Sequence, residues 1–194
     1  MNTFRYVLAV LVLVSLPPGL LIWFLAHPLA RFWRRLGAGW TFGIHWSLML
    51  AVMVGLYLVR EPFLRVEFGT SIPLIGLALV TLCAAAALLM KRKKHLTFRV
   101  LSGIPEFSRA HYPGVLLTQG IYAKIRHPRY VEVLLGTLSY ALVANYLATY
   151  ALVAVSVPMV YAIVLLEERE LRERFGSAYD EYCRRTPRFI PSAR

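Results

Sequence analysis

Long apolar stretches, separated by clusters of Lys and Arg, constrain this sequence more than any other feature. Five such stretches of roughly 17–23 residues are present, each close to the length that a helix needs to cross the hydrocarbon core of a bilayer. They cover about Tyr6–Ala26, Trp40–Val59, Ser71–Met90, Tyr130–Tyr146 and Leu147–Leu166. The sequence therefore predicts an all-α, polytopic integral membrane protein with about five transmembrane helices.

The composition agrees with a membrane protein and argues against a nucleic-acid-binding one. The chain is 58% hydrophobic and carries a formal net charge of +12. A basic balance is also typical of nucleic-acid-binding proteins, but here the charges flank apolar spans, as expected for contact with anionic lipid headgroups. We therefore expect membrane lipids as partners and no nucleic acid.

The distribution of Lys and Arg predicts the orientation in the membrane. With five spans, 19 of these residues fall on one side, and only Arg5, Arg60 and Arg65 fall on the other. Because positively charged loops stay in the cytoplasm, the N-terminus is expected outside. The region 91–129 and the C-terminal tail are then both cytoplasmic.

The chain is interpreted as one membrane domain over residues 1–194. Residues 1–90 provide three N-terminal transmembrane helices. Residues 91–194 form a catalytic half with two further transmembrane helices, a cytoplasmic connector and C-terminal helices. The connector of about forty residues is longer than a simple connection needs to be in so compact a protein, which makes it a candidate functional segment.

The two cysteines, Cys83 and Cys183, offer neither a disulfide framework nor a zinc-binding spacing, so no metal site is predicted.

A polar and aromatic segment, Gly120–Tyr130, closes the connector and leads directly into the fourth apolar stretch. It supplies cations, an imidazole and two phenols within eleven residues, and the tail supplies the adjacent carboxylates Glu167 and Glu168 on the same side. A zwitterionic ligand with an aromatic base would use the acid for its amine or ribose and the cations for its carboxylate, with an aromatic ring for stacking. The two regions together predict a binding site for such a molecule.

Each of these residues also has a simpler interpretation. The cations could hold phosphates of anionic lipids, and the phenols could belong to an interfacial aromatic belt. Glu167 and Glu168 could be solvated helix surface, paired with Arg172 and Arg174 at helical spacing. The occurrence of the whole set on one side of the membrane favours a site.

An ordered pattern over roughly residues 114–191 resembles the membrane-bound isoprenylcysteine carboxyl methyltransferase and phospholipid methyltransferase family. Its parts are Gly120-Ile-Tyr122, Arg126-His127-Pro128-x-Tyr130, Gly136, Asn145, Glu167-Glu168-x-x-Leu171, Phe175-Gly176, Tyr179-x-x-Tyr182 and Pro187-Arg-Phe-Ile-Pro191. The resemblance implies that S-adenosyl-L-methionine is the cofactor. It also implies that the C-terminal half builds the cofactor pocket.

The resemblance assigns cofactor contacts to particular positions. They are Tyr122, His127, Pro128, Arg129, Tyr130, Glu167 and Glu168, together with backbone contacts from Gly114, Val115, Leu116 and Leu117. The chain departs from the eukaryotic prenylcysteine enzymes at Ile163, where they have an arginine thought to meet the substrate. This departure argues against a prenylcysteine carboxylate as the acceptor.

The implied reaction is transfer of a methyl group from a sulfonium to a lipophilic acceptor, namely a lipid amine, a lipidated thiol or a carboxylate, at the cytoplasmic face. An amine or thiol acceptor must lose a proton. Glu132, near membrane depth, is the candidate base or substrate-ammonium partner. It could equally be a buried acid paired with Arg129 or His45. Arg126 is the second candidate catalytic residue.

Two other functions remain open from the sequence. One is an NADPH-dependent membrane reductase of the sterol-reductase type, whose C-terminal half is similar. The other is a non-enzymatic lipid-binding protein, which would use the basic face without the paired glutamates. A preference for NADPH over S-adenosyl-L-methionine would identify the reductase. A protein whose function does not change when Glu167 is substituted would favour the lipid-binding alternative. The sequence leaves the acceptor and the oligomeric state open.

Overall fold

The structure, a computed structural model, describes residues 2–94 and 115–191. Within these ranges the chain is helical, apart from connections and one isolated β-bridge between Glu67 and Tyr146. The α-helices are α1 Asn2–Ala26, α2 Ala30–Leu36, α3 Ala38–Leu58, α4 Arg60–Phe63, α5 Ile72–Lys93, α6 Pro128–Ala144, α7 Leu147–Phe175 and α8 Ser177–Arg185, and a 3-10 helix covers Gly120–Ala123. The predicted all-α class is confirmed.

Four of the described helices, α1, α3, α5 and α7, are long and apolar enough to cross a membrane. The fourth of the five predicted spans corresponds to α6, which has 17 residues. At a rise of about 1.5 Å per residue, α6 is about 25 Å long, at the lower limit for a transmembrane helix. The protein is a multi-pass membrane protein in which α6 packs among longer neighbours.

Helix α1 packs against three other helices, α3, α6 and α7. Leu16 and Leu20 of α1 form a buried cluster with Tyr130 of α6 and with Val160 and Ile163 of α7. Lipid tails are as apolar as these side chains, so close van der Waals packing rather than burial from water holds such helices together.

The most extensive helix–helix contact joins α5 and α6. The buried residues of α5 are Ala78, Ala85 and Arg92, spaced seven residues apart on one face. Small side chains on this face let the helix backbones approach closely. An ion pair between Arg92, near the C-terminal end of α5, and Glu132, in the second turn of α6, fixes the two helices antiparallel.

One end of the bundle, which we call the Arg5 end, is closed by polar contacts between connections. Asn145 ends α6 with φ 58° and ψ 50°, a left-handed conformation that Asn tolerates well, and α7 begins after Tyr146. The buried Arg5 contacts Glu67 at 2.7 Å, and its Nε donates to the Ala144 carbonyl at 3.0 Å. The last two apolar stretches therefore form a tight helical hairpin.

The other end, which we call the basic end, contains α2, the segment 115–127 and α8. Helix α7 has 29 residues, about 43 Å, so it extends well beyond a hydrocarbon core about 30 Å thick. Gly176 then reverses the chain with φ 54° and ψ −131°, which residues with a Cβ rarely adopt. The reversal lets α8 pack against α7 and brings the tail to the polar turn before α6.

Candidate active site

The C-terminal tail holds the turn that precedes α6. The backbone N–H of Arg126 donates to the Pro187 carbonyl at 2.9 Å, and that of His127 donates to the Arg188 carbonyl at 3.1 Å. Pro128, fully buried, then provides the first residue of α6, where its missing N–H costs nothing. Two distant parts of the sequence pattern therefore form one structural unit.

A phenol of α8 adds a second attachment. The Tyr182 hydroxyl donates a hydrogen bond of 2.6 Å to the Tyr122 carbonyl. Burial raises the pKa of Tyr182 above its ordinary value, so the phenol stays neutral and remains a donor over the physiological pH range. This bond fixes the 3-10 turn that carries Tyr122.

Glu168 lies at the centre of a buried ion cluster. Its side chain is 0% exposed, and its Oε1 lies 2.9 Å from Arg126 Nη2 and 3.2 Å from His127 Nε2. Arg188 donates to both carboxylate oxygens, at 3.0 and 2.9 Å, and Arg172 lies 3.8 Å away. The interpretation of Glu168 as solvated helix surface is therefore wrong. A carboxylate removed from water is stable only because these cations surround it.

Glu167, one residue earlier, has a different environment. Its side chain is 26% exposed, and the imidazole of His127 lies beside it, with Nδ1 3.7 Å from Oε2. That Oε2 atom is itself buried and accepts no hydrogen bond from the described residues. A buried carboxylate oxygen without a donor is costly, so it is a natural position for a donor on a bound molecule.

A cavity of about 920 Å³ begins beside Glu167 and lies between α1, α3 and α6. Its polar end is lined by His27, Arg129, Tyr130 and Glu167. Its apolar wall includes Leu8, Leu11, Leu16, Leu20, Phe42, Met49 and Val133. Along α1 the lining extends from Leu8 to Ala26, a rise of about 27 Å. The cavity is at the upper end of the volumes usual for ligand sites.

Trp23 of α1 organises the aromatic part of the polar end. The guanidinium of Arg129 lies 4.7 Å from its ring centroid, and the Tyr130 ring meets it edge-on at 5.0 Å. Both contacts are favourable, one through the charge and the other through the ring quadrupoles. Sequence reasoning missed Trp23, since a tryptophan near the end of an apolar span is common at membrane interfaces.

Tyr122 lies within electrostatic reach of the same groups. The pKa of Tyr122 is raised above its ordinary value, mainly because burial disfavours the phenolate. The carboxylates of Glu167 and Glu132 raise this pKa further, while the guanidiniums of Arg92 and Arg129 lower it in part. The phenol is therefore close to the polar end of the cavity and to the ion pair that joins α5 to α6.

The candidate base Glu132 is paired with a residue that the sequence did not indicate. Arg92 binds both of its oxygens, with N–O distances of 2.9 and 3.2 Å. The prediction that Glu132 pairs with Arg129 or His45 is wrong, because the last turn of α5 covers this face of α6. The Arg129 guanidinium instead lies over the Trp23 ring, and His45 belongs to α3. In the sequence, Arg92 is one of four consecutive cations that end the third apolar stretch, so the pattern did not distinguish it from its neighbours.

The remaining predicted site residues have varied positions. Arg126 is buried against Glu168 and does not line the cavity, a position that favours support of the turn over contact with substrate. Val115 is 84% exposed, while Leu116 and Leu117 are partly buried, and Gly114 lies outside the described residues. Arg188, which sequence reasoning quoted only as part of a motif, belongs to the buried cluster.

The match to a known family covers most of this site. The sequence profile of phospholipid methyltransferases matches residues 74–178, just over half of the chain. This chain belongs to the phospholipid methyltransferase family. The matched region contains α5, the polar turn, α6, α7 and both glutamates, and the family resemblance drawn from the sequence is confirmed. The cavity wall from α1 and the tail with Arg188 lie outside the matched region.

Three curated proteins share sequence with part of the chain. The cobalt-zinc-cadmium resistance protein CzcN of Cupriavidus metallidurans is 40% identical over 77 residues, which are 39% of this chain and 35% of that protein. The nickel-cobalt-cadmium resistance protein NccN of Alcaligenes xylosoxydans xylosoxydans is 33% identical over 76 residues, 39% of this chain and 36% of that protein. The protein-S-isoprenylcysteine O-methyltransferase of Schizosaccharomyces pombe is 32% identical over 85 residues, 43% of this chain and 36% of that protein.

The aligned part thus spans about a third of the length of each of these relatives. No solved structure matches the chain at a significant level. Two of the relatives are named for metal resistance, yet residues 2–94 and 115–191 contain no group of three or more His, Cys, Asp or Glu placed to hold a metal ion.

Proposed function

We propose that this protein transfers a methyl group from S-adenosyl-L-methionine to a lipophilic acceptor at the basic end of the bundle. The observation that carries the proposal is a cavity that joins a buried carboxylate oxygen, which accepts no hydrogen bond from the described residues, to an apolar groove along α1. A cavity of this shape accommodates a polar donor molecule at one end and a lipid-embedded acceptor along its length. Membership of the phospholipid methyltransferase family supports the same reaction.

The polar end has the chemistry that the cofactor needs. Glu167 Oε2 is placed to accept from an ammonium or a ribose hydroxyl, and Arg129 offers a guanidinium for a carboxylate. Trp23 and Tyr130 offer aromatic surface beside them. S-adenosyl-L-methionine supplies an already activated methyl group on its sulfonium sulfur, so the protein has mainly to align the two reactants and exclude water.

The cavity wall favours an acceptor whose head is not a carboxylate. Ile163 is fully buried in the cluster formed by Leu16, Leu20 and Tyr130, three residues that also line the cavity. Ile163 does not itself line the cavity, but as an apolar residue directly behind this wall it supplies no positive charge to neutralise an acceptor carboxylate. We therefore favour a lipid amine or a lipophilic thiol as the methyl acceptor.

An amine or thiol acceptor must release a proton, and the polar end contains a group able to receive it. The imidazole of His27 lines the cavity, and its Nδ1 lies 3.2 Å from Glu170 Oε2. A carboxylate in this position orients the ring and stabilises the imidazolium form. In this assignment His27 removes the proton, while Glu132, held by Arg92, keeps α5 and α6 in register.

The buried cluster around Glu168 has a positioning role in this proposal. It fixes Arg126 and His127, and through them the turn that places Arg129 and Tyr130 at the cavity. If the basic end faces the cytoplasm, as the charge distribution predicts, the cofactor enters from the cytoplasm and the acceptor from the membrane.

The test is calorimetric binding of S-adenosyl-L-methionine, S-adenosylhomocysteine and NADPH to the detergent-purified protein. We expect selective binding of the two adenosyl sulfur compounds. Glu167→Ala should weaken it roughly ten- to hundredfold, since a hydrogen bond to a charged group is lost. The matched control is Glu181→Ala, which removes an exposed carboxylate paired with Arg185 at the same end of the bundle.

The other outcomes separate the alternatives. Selective NADPH binding would place the protein among the reductases. Folded, monodisperse protein that binds none of the three compounds would favour a non-enzymatic lipid-binding protein. Equal weakening by Glu167→Ala and Glu181→Ala would remove Glu167 from the cofactor site. Once binding is established, an acceptor screen should compare an ethanolamine phospholipid, a long-chain thiol and a prenylcysteine.

A further inference from the structure

A second cavity, of about 440 Å³, lies at the basic end between the α1–α2 connection and the part of α7 that extends beyond the apolar span. We call it the basic pocket. Its charged lining consists of His27, Arg31, Arg34, Arg169, Arg174 and the two carboxylates Glu170 and Glu173. Apart from His27, these charged residues do not line the larger cavity beside Glu167.

The pocket has more cationic than anionic groups. Glu170 is shared by Arg34 at 2.7 Å and Arg174 at 3.9 Å. Glu173 is shared by Arg31 at 3.0 Å and by Arg169 at 3.7 Å. Four guanidiniums therefore face two carboxylates, and the lining keeps an excess of two positive charges before His27 is counted.

All four cations are arginines, whose planar fork of N–H donors matches the oxygens of a phosphate. Internal pairing leaves donors available in particular on Arg31 and Arg169, whose side chains are both 81% exposed and which share a single carboxylate. An anion with two or more oxygens would accept hydrogen bonds from the remaining donors of both guanidiniums and balance the charge.

The surroundings of the pocket point to a lipid as the source of that anion. Leu29 and Phe32, which flank Arg31 in the α1–α2 region, are exposed apolar side chains. The opposite wall, Arg169 to Arg174, begins about 5 Å beyond Leu166, the last residue of the apolar part of α7. The pocket therefore lies at headgroup depth, beside exposed apolar side chains suited to contact the acyl region.

We propose that the basic pocket binds the phosphate of an anionic phospholipid headgroup. The guanidiniums of Arg31 and Arg169 donate hydrogen bonds to the phosphodiester oxygens. Leu29 and Phe32 contact the adjoining acyl chains. This lipid is distinct from the methyl acceptor and occupies its site without turnover. The proposal goes beyond the methyltransferase function and does not depend on it.

The test is equilibrium binding of radiolabelled dioctanoyl phosphatidylglycerol to the full chain in uncharged detergent. We expect saturable binding at one site, and about tenfold or greater weakening in the double variant Arg31→Gln/Arg169→Gln. The matched control is Arg184→Gln/Arg185→Gln, which removes two exposed charges from α8 at the same end of the bundle. Both altered pairs are on the surface, so elution profile and melting temperature should stay as in the unaltered protein.

Competition identifies the source of the phosphate. Dioctanoyl phosphatidylglycerol should compete far better than inorganic phosphate or glycerol phosphate, and better than dioctanoyl phosphatidylcholine. If inorganic phosphate competes equally, the site takes a soluble anion and the lipid assignment is overturned. Unchanged binding in Arg31→Gln/Arg169→Gln, or equal loss in the α8 control, would overturn the pocket itself. None of these measurements uses the methyl donor, so their failure is distinct from failure of the proposed reaction.

Discussion

At the scale of single residues, the adjacent glutamates of α7 have opposite environments. Glu168 is enclosed by Arg126, His127 and Arg188, whereas Glu167 has a buried oxygen without a donor among the described residues. Neighbours on a helix point about 100° apart, so one carboxylate enters the protein between α7 and the tail, and the other reaches the cavity. One is therefore suited to stability and the other to binding.

Neutralising each glutamate in turn should separate these roles. Glu168→Gln leaves the buried guanidinium of Arg126 without its anion, and we expect the free energy of unfolding to fall by about 3–5 kcal/mol. Glu167→Gln should leave stability nearly unchanged while weakening cofactor binding. Thermal unfolding in detergent, followed by circular dichroism, checks the first effect. Equal melting temperatures for the two variants would contradict this division.

At the scale of elements, the antiparallel pair of α5 and α6 supports the polar end of the cavity. Ala78 and Ala85 allow close packing, and Arg92 with Glu132 fixes the register where α6 begins. A displacement along this contact would move Arg129 and Tyr130, which lie in the first turn of α6. The division of the chain into residues 1–90 and 91–194 stays a prediction, and this helix pair joins its two parts.

A double-mutant cycle distinguishes a base from a register contact at Glu132. Glu132→Gln should lower methyl transfer while sparing cofactor binding. If Glu132 acts through Arg92, then Arg92→Gln should cost a similar amount, and the double variant should cost much less than the sum of the two. If Glu132 is the base, Arg92→Gln should retain most of the turnover, and the double variant should be as inactive as Glu132→Gln. Turnover numbers of the four proteins decide between these roles.

At the scale of the whole molecule, the bundle separates its polar groups between two ends. The Arg5 end closes through Glu67, Tyr146 and the Ala144 carbonyl. The basic end holds the polar end of the cavity, the ion cluster around Glu168 and the basic pocket. The charged groups of the cavity lie at one end because an uncompensated charge at the centre of the membrane is costly.

The orientation predicted from this charge distribution can be measured with single cysteines. In a background with Cys83→Ala and Cys183→Ala, Val66→Cys marks the Arg5 end and Ser177→Cys marks the basic end. A membrane-impermeant maleimide added to intact cells should label the first and reach the second only after permeabilisation. The reverse pattern would place the site outside the cytoplasm.

The sequence by itself determined the class of the protein and where its candidate site residues are concentrated. A helix that crosses lipid must satisfy its backbone internally and needs about 20 apolar residues, so stretch length and the intervening charges predict helices and connections directly. The polar segment before α6 and the paired glutamates of α7 were found in the same way, since dense polar chemistry stands out in an apolar chain.

Only the tertiary structure decided which faces meet. In lipid, the buried and exposed faces of a helix can be equally apolar, so the pattern does not say which neighbour covers a given residue. Three features depend on contacts between distant segments: the pairing of Glu132 with Arg92, the position of Trp23 from α1 and His27 from the α1–α2 connection, and the ion pair of Arg188 with Glu168. The sequence contains each of these side chains, but only close packing of the helices brings them within reach of one another.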